Sequence, residues 1–255
     1  MNSFLRLLYR DLRAGLWSTK SIMAVQLVTP LFYIFVAGFV YGAIIDPKTI
    51  AASGAISYVL FLAPGVVVMQ IMFAASMAGA MLWVDKRLAM FSQIVVGPFS
   101  RWQYILSKLV SIMLQGMLNA FLVFLIASPL LAGLKISFEG VLYIAGSLLL
   151  GALFFGSLTL AISVFIKSNE AFNAILNVLF TPLMFLSSVY YPLEKAPLAI
   201  QAVSLANPLT YAADMLRAGL LQVYVPLLPI EIAALIVESL IAFAAATVAF
   251  RRVKP

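Results

Sequence analysis

The sequence predicts an all-α integral membrane protein. Six transmembrane helices are expected, with an N-terminal amphipathic interface helix, a short cytoplasmic helix, and short re-entrant helices before the last span. Composition is the first observation behind this: 64% of the 255 residues are hydrophobic and 10% are charged. A soluble domain has roughly a quarter of its residues charged, and a chain of this size has too little interior to hide so much apolar surface. The second observation is length: uncharged stretches cover 21–45, 49–84, 109–134, 140–166 and 171–193. Each reaches the ~20 residues that cross a bilayer as a helix. A sixth, weaker stretch over about 229–250 contains Glu231 and Glu238.

The third observation is where the charge falls. Spans at about 21–45, 57–82, 104–130, 141–166, 171–190 and 229–250 place twelve of the sixteen Lys and Arg residues on one side. Only Lys48, Lys135, Lys195 and Arg217 fall on the other. The positive-inside rule makes the basic side cytoplasmic, with both termini there, in a plasma or inner membrane. The net charge of +7 is thereby accounted for as topology, with no nucleic acid required.

The first element, residues 1–18, reads MNSFLRLLYRDLRAGLWS. At helical spacing Leu5, Leu8, Leu12 and Leu16 share one face and Arg6, Arg10 and Arg13 another. Such a helix lies in the interface, apolar side toward lipid and arginines toward phosphate headgroups. Periodicity leaves open whether it is only a topology anchor or a lever meeting a cytoplasmic partner. The basic segment ahead of the first span, and that span's length, distinguish it from a signal peptide.

Residues 83–103 form the cytoplasmic loop between spans two and three. Asp85, Lys86 and Arg87 open it, and Leu88, Phe91, Ile94 and Val95 follow at helical spacing. Gly97-Pro98 is a helix stop, and Ser100 with Gln103 fits the cap of the next span. A surface helix with an apolar stripe needs either lipid headgroups or a groove in another protein. The sequence has no GxxxxGK[ST] phosphate loop, which favours docking onto a separate energy-supplying subunit.

Cysteine and histidine are both absent. Disulfides, thiolate chemistry, haem–histidine ligation and the usual zinc sites are therefore excluded. No catalytic and no metal-ligating residue is assigned.

Within the membrane, Pro64-Gly65 is expected to kink or unwind span two. Ala74, Ala75, Ala78 and Gly79, with Gly146, Gly151 and Gly156, are packing surfaces for close helix approach. Gln115 and Asn119, and likewise Asn173 and Asn177, sit one turn apart, each pair placed to hydrogen-bond a neighbouring helix. Glu231 and Glu238 fall on roughly one face of the last span. Facing the protein interior or an aqueous cleft, they are candidate functional residues.

The segment 190–228 is too apolar for a solvated loop. Pro192 and Pro197 break the chain, 198–205 suits only a short helix, and Asn207-Pro208 is a cap followed by a helix start. Asp214 and Arg217 are i,i+3 neighbours on that helix. The expected result is two short helices folded at the outer face or dipping into the bilayer, capping the mouth of a path or covering the span tops.

YYPLEKAP followed by LANPLTYAADMLRAGL resembles the end signature of the ABC-2 type transporter permease family. DKRLAMFSQIVVGPFSRW is similar to that family's first cytoplasmic loop. The likeness covers the whole of 1–255 as a single transmembrane domain. It implies a permease that forms a homodimer, or pairs with a related permease, on two copies of a separate ABC-type ATPase. ATP and magnesium belong to that partner, and no cofactor to this chain. The implied activity is export of drugs, lipids, lipid-linked glycans or polysaccharides. By position, Asp85 to Val96 is the implied coupling helix, with Asp85, Lys86, Arg87, Phe91 and Ile94 as its contacts. Residues Leu5 to Leu16, with Arg6, Arg10 and Arg13, are the implied interfacial gate helix. Asn207, Pro208, Tyr211, Asp214 and Arg217 are the implied outer re-entrant signature. Many members carry Glu-Arg-Glu-x-Gly-Thr where this chain has Asp85-Lys86-Arg87-Leu88-Ala89-Met90. Two other classes stand beside this reading: a non-transporting membrane scaffold, and an integral membrane enzyme acting on lipids. The enzyme would need converging acids and bases that the loops do not offer.

Overall fold

A computed structural model describes residues 3–16, 28, 30–44, 57–88, 101–127, 136–166, 168–193 and 196–251. The regular elements among them are helices. In chain order they form α1 (Ser3–Leu16), a π-helical turn (Tyr33–Ala37) running into α2 (Gly38–Ile44), α3 (Tyr58–Arg87) and α4 (Arg101–Ala127). Then come α5 (Phe138–Phe165), α6 (Asn169–Phe185), α7 (Leu198–Ser204), α8 (Pro208–Leu221) and α9 (Leu228–Arg251). Among the described residues three helices, α3, α5 and α9, are long and apolar enough to cross a membrane. The protein is thus a multi-pass helical membrane protein with at least three such spans. The remainder of the first predicted span, and the loop from 89 to 100 with Phe91 and Ile94, lie outside the described residues.

Local chemistry explains where helices begin. The Ser137 hydroxyl accepts from the Gly140 N–H at 3.0 Å and Ser168 from the Ala171 N–H at 3.1 Å. Each satisfies an otherwise orphaned amide, and Glu139 and Glu170 add negative charge in the first turn. At the far end of α8, Gln222 takes a left-handed conformation (φ 53°) that stops the helix.

Two local expectations change. Helix α3 runs unbroken through Pro64, so the proline removes one backbone hydrogen bond without ending the helix. A Cβ on neighbouring Gly65 would lie 2.9 Å from the Val189 backbone, so another segment lies directly against this turn. The helix also continues through Asp85–Arg87, which therefore close α3 rather than open a separate helix.

Burial ranks the long helices. Of the apolar stretch of α3, 83% is buried against protein, compared with 50% for α5 and 22% for α9. Helix α3 is therefore central. Helix α9 turns Val237, Leu240, Ile241 and Val248 outward, a surface suited to hydrocarbon rather than water. Helix α5 packs against α3, α4, α8 and α9. Its hydroxyls fasten it: Ser147 donates to the Ala212 carbonyl at 2.6 Å and Thr159 faces the Ala75 carbonyl at 3.0 Å. Ser239 on α9 donates back to the Leu150 carbonyl at 3.1 Å.

The small residues act as packing surfaces. A Cβ on Gly79 would lie 2.6 Å from the Phe172 ring, and one on Gly156 would lie 2.9 Å from Leu109. Gln115 and Asn119 are buried, and the Gln115 amide donates to Ser111 at 2.8 Å within its own helix. Asn173 and Asn177 share a face as expected, but it is the exposed face of α6. The opposite face, Phe172, Leu176 and Phe180, is the buried one. Aromatic packing has decided which side of α6 meets the bundle.

Candidate functional site

Two buried polar clusters lie near opposite ends of α3. The span from Phe61 to Asp85 corresponds to about 36 Å at 1.5 Å per residue.

The first cluster is built on α8. Asn207 caps this helix, its side-chain oxygen accepting from the Leu209 N–H at 3.0 Å, with Pro208 at the first helical position. The Asn207 amide donates to the carbonyls of Leu183 and Leu186 at 2.8 and 3.1 Å. The same residue thus starts α8 and pins it to the end of α6. Tyr211 donates its hydroxyl to the Leu205 carbonyl. Every residue from Pro208 to Leu220 is buried. The helix is enclosed among α3, α5 and α9 rather than laid across their tops.

Inside that enclosure Arg217 pairs with Asp214. Its other terminal nitrogen reaches the Ser188 carbonyl at 3.0 Å and the Phe61 carbonyl at 3.3 Å. The guanidinium lies 4.1 Å from the centre of the Phe61 ring. Ser188 donates to Asp214 at 2.8 Å. Glu231 is buried and within electrostatic reach of both Asp214 and Arg217. One carboxylate oxygen on each of Glu231 and Glu238, and the Arg217 Nε, are buried without a hydrogen-bond partner. The structure therefore gathers Asn207, Pro208, Tyr211, Asp214, Arg217 and Glu231 into one region. Phe61 and Ser188 complete it, each through its backbone carbonyl and its side chain; nothing local in the sequence marks them, since their partners lie far away in the chain.

The second cluster joins α1, the end of α3 and the start of α4. The Arg10 guanidinium donates to Asp11 at 2.8 Å and to Asp85 at 2.9 Å. The Lys108 ammonium lies 3.0 Å from Asp11 and 3.4 Å from Asp85. The Tyr104 hydroxyl donates to Asp85 at 2.7 Å, and Ser107 donates to Asp11 at 3.3 Å. Burial disfavours the charge on Arg10, but Asp11 and Asp85 outweigh it and hold the guanidinium protonated above its usual range.

Asp85 is thus turned into the protein, while Arg87 is exposed with its guanidinium 5.4 Å from the Trp83 ring centre. The faces of α1 also differ from those expected. Leu7 and Asp11 are the buried pair, Leu8 and Leu12 are half-buried, and Leu5, Arg6 and Arg13 are exposed. Nothing local in the sequence marks Asp11 or Lys108, whose pairing joins two different helices.

Neither cluster has the form of a reaction centre. Among the described residues no group of three acidic side chains could hold a metal ion.

Comparison with known proteins agrees with this picture. Residues 2–221 match the family described as ABC-2 type transporter. "Nodulation protein J" of Rhizobium leguminosarum bv. viciae is 24% identical over 250 residues, covering 92% of this chain and 90% of the relative. "Putative transport permease ycf38" of Porphyra purpurea is 24% identical over 203 residues, covering 79% of this chain and 68% of the relative. On the match across 2–221, the chain belongs to the ABC-2 type transporter family, as a membrane transport subunit rather than an enzyme.

Proposed function

We propose that this chain is the permease of an ATP-driven exporter, powered by two copies of a separate ABC-type ATPase that bind ATP and magnesium. The observation that carries the reading is the family match over residues 2–221, in a sequence that itself has no phosphate-binding loop. The orientation is the one set by the basic residues, with both termini cytoplasmic in a plasma or inner membrane. Six spans complete the topology. Nucleotide binding closes the ATPase dimer and pushes the segment from Asp85 to Val96. Access to an amphiphilic, lipid-linked, polysaccharide or drug-like substrate then alternates. Lys86, Arg87, Phe91 and Ile94 are the proposed contacts with the ATPase. Helix α8 is the proposed core of the outer re-entrant region, with Glu231 and Glu238 beside it.

Copurification of an ATPase with this chain, and nucleotide-dependent transport in proteoliposomes, test the reading. An ATPase that binds but drives no transport would leave only a scaffold. Arg87→Ala and Phe91→Ala are expected to uncouple hydrolysis from transport at unchanged membrane abundance, read as nucleotide consumed per substrate moved. Coupling equal to wild type in both variants overturns the assignment of this segment.

A second copy of the chain is the proposed partner within the membrane. The exposed Asn173, Asn177 and Thr181 on α6 support it. They recur one turn apart, and polar side chains facing hydrocarbon are costly unless another polar surface meets them. Asn173→Leu with Asn177→Leu is expected to shift the monomer–dimer balance toward monomer by about tenfold, taking ~0.6 kcal/mol per hydrogen bond lost. Single-molecule counting in lipid measures it, and an unchanged balance removes α6 from the interface.

A further inference from the structure

We propose that the cluster of Arg10, Asp11, Asp85 and Lys108 is a mechanical joint, with Asp11 and Lys108 its positioning residues. It passes displacement of the chain beyond Arg87 into α1. The inference rests on the permease reading above, and deepens it by naming how motion leaves the ATPase-facing segment.

Four observations carry it. The charges come from three helices: Arg10 and Asp11 from α1, Asp85 from α3, Lys108 from α4. Each cation bridges both carboxylates, Arg10 at 2.8 and 2.9 Å and Lys108 at 3.0 and 3.4 Å. Asp85 therefore cannot shift alone without stretching contacts to both neighbouring helices. The joint is also enclosed, with Lys108 and Asp11 side chains 2% and 3% exposed. Finally, Asp85 stands two residues before Arg87, where α3 ends.

Stability alone does not account for such a cluster. An apolar set of similar volume commonly holds helices together as well as a buried ion pair does. What ion pairs add is direction: an apolar contact tolerates sliding, whereas shared carboxylates fix one register among three helices. Helix α1 packs along α4, and among its described side chains Leu7 is the buried apolar one while Leu5, Leu8 and Leu12 are exposed or half-buried; the Arg10–Asp85 contact ties it to α3. Two acids and two cations also balance, so the joint needs no further partner.

The chain has no cysteine, so introduced cysteines label single sites. Spin labels would be placed at Tyr9 on α1, Leu88 after α3, and Tyr224 as a distant reference, all exposed. The sample is the complex with its copurified ATPase in lipid, with labelled chain diluted into unlabelled chain. Distances are measured without nucleotide and with magnesium-ATP trapped by vanadate. In the wild-type background both Leu88 and Tyr9 are expected to move relative to Tyr224. With Lys108→Met or Asp11→Asn, Leu88 moves as before and the Tyr9 displacement is lost. Lys108→Arg, which keeps a cation facing both carboxylates, retains the displacement, whereas the neutral Lys108→Met loses it, a split that mere space-filling would not produce. Asp11→Asn keeps the side chain's shape and carries the test should Lys108→Met fail to assemble. Equal Tyr9 displacement in the single variants and in wild type overturns the joint. So does a Tyr9 that stays still while Leu88 moves in wild type. If Leu88 itself does not respond to nucleotide, the permease reading falls, and the joint falls with it.

Discussion

Replacing Gly219 with valine unseats α8 from α5 and sharply lowers the amount of folded, monodisperse protein. A Cβ at Gly219 would stand 2.7 Å from the Gly140 carbonyl oxygen and 3.2 Å from the Ile144 amide nitrogen. The reverse holds as well, since a Cβ on Gly140 would stand 2.5 Å from the Gly219 carbonyl oxygen. Both obstacles are backbone and cannot rotate away, so the two helices must separate. Overpacking typically costs about 1–3 kcal/mol, and with no side chain able to yield, the upper end applies. Gly151→Ala is the control: its nearest new neighbours would be 3.8 and 3.9 Å away, at Ile71 and Ala212. That variant is expected to be neutral, or more stable by up to about 1 kcal/mol through helix propensity. Thermal unfolding in detergent distinguishes them. A Gly219→Val protein as stable as Gly151→Ala would mean that α5 and α8 do not touch here.

Arg217→Met is expected to be the most damaging single change in α8, at about 3–5 kcal/mol. It leaves the Asp214 carboxylate buried, with Ser188 its remaining donor among the described residues, at 2.8 Å. It also strips the donors from the carbonyls of Phe61 and Ser188. Removing both charges is less harmful than removing one, because no uncompensated ion remains. Asp214→Leu with Arg217→Met should therefore recover part of the loss, seen as a higher unfolding midpoint than Arg217→Met alone. A double variant no better than the single would show that Arg217 acts through the two carbonyls rather than through Asp214.

Both sites show how far local sequence reasoning reaches. Asn207 as a cap, Pro208 as a first helical residue and the Asp214–Arg217 pair were all legible, because each depends on residues within one turn. Whether the helix so formed lies over the bundle or inside it was not legible. That depends on Gly140 and Gly219, 79 positions apart, whose meeting no periodicity encodes. The end of α3 shows the same limit. Asp85 reads as the start of a surface helix, because a charged triplet after an apolar run usually marks the membrane boundary. It instead closes α3 and turns inward, because Arg10 and Lys108 arrive from two other helices. The α6 asparagines are a third case: their shared face follows from spacing, but Phe172, Leu176 and Phe180 decided that the face points outward.

By itself, then, the sequence determined the solvent, the all-helical multi-pass class and the family. A chain with so little charge has only lipid to fold in, and there every backbone amide must be satisfied within its own helix. Helix position thus follows from hydropathy and capping residues, both short-range properties. Tertiary structure alone decided which polar groups share an enclosure. Asp11 with Lys108, and Arg217 with the Phe61 and Ser188 carbonyls, meet across 97, 156 and 29 positions of sequence. An isolated buried charge is intolerable in hydrocarbon and a paired one is not, so the partner sets what each of these residues does.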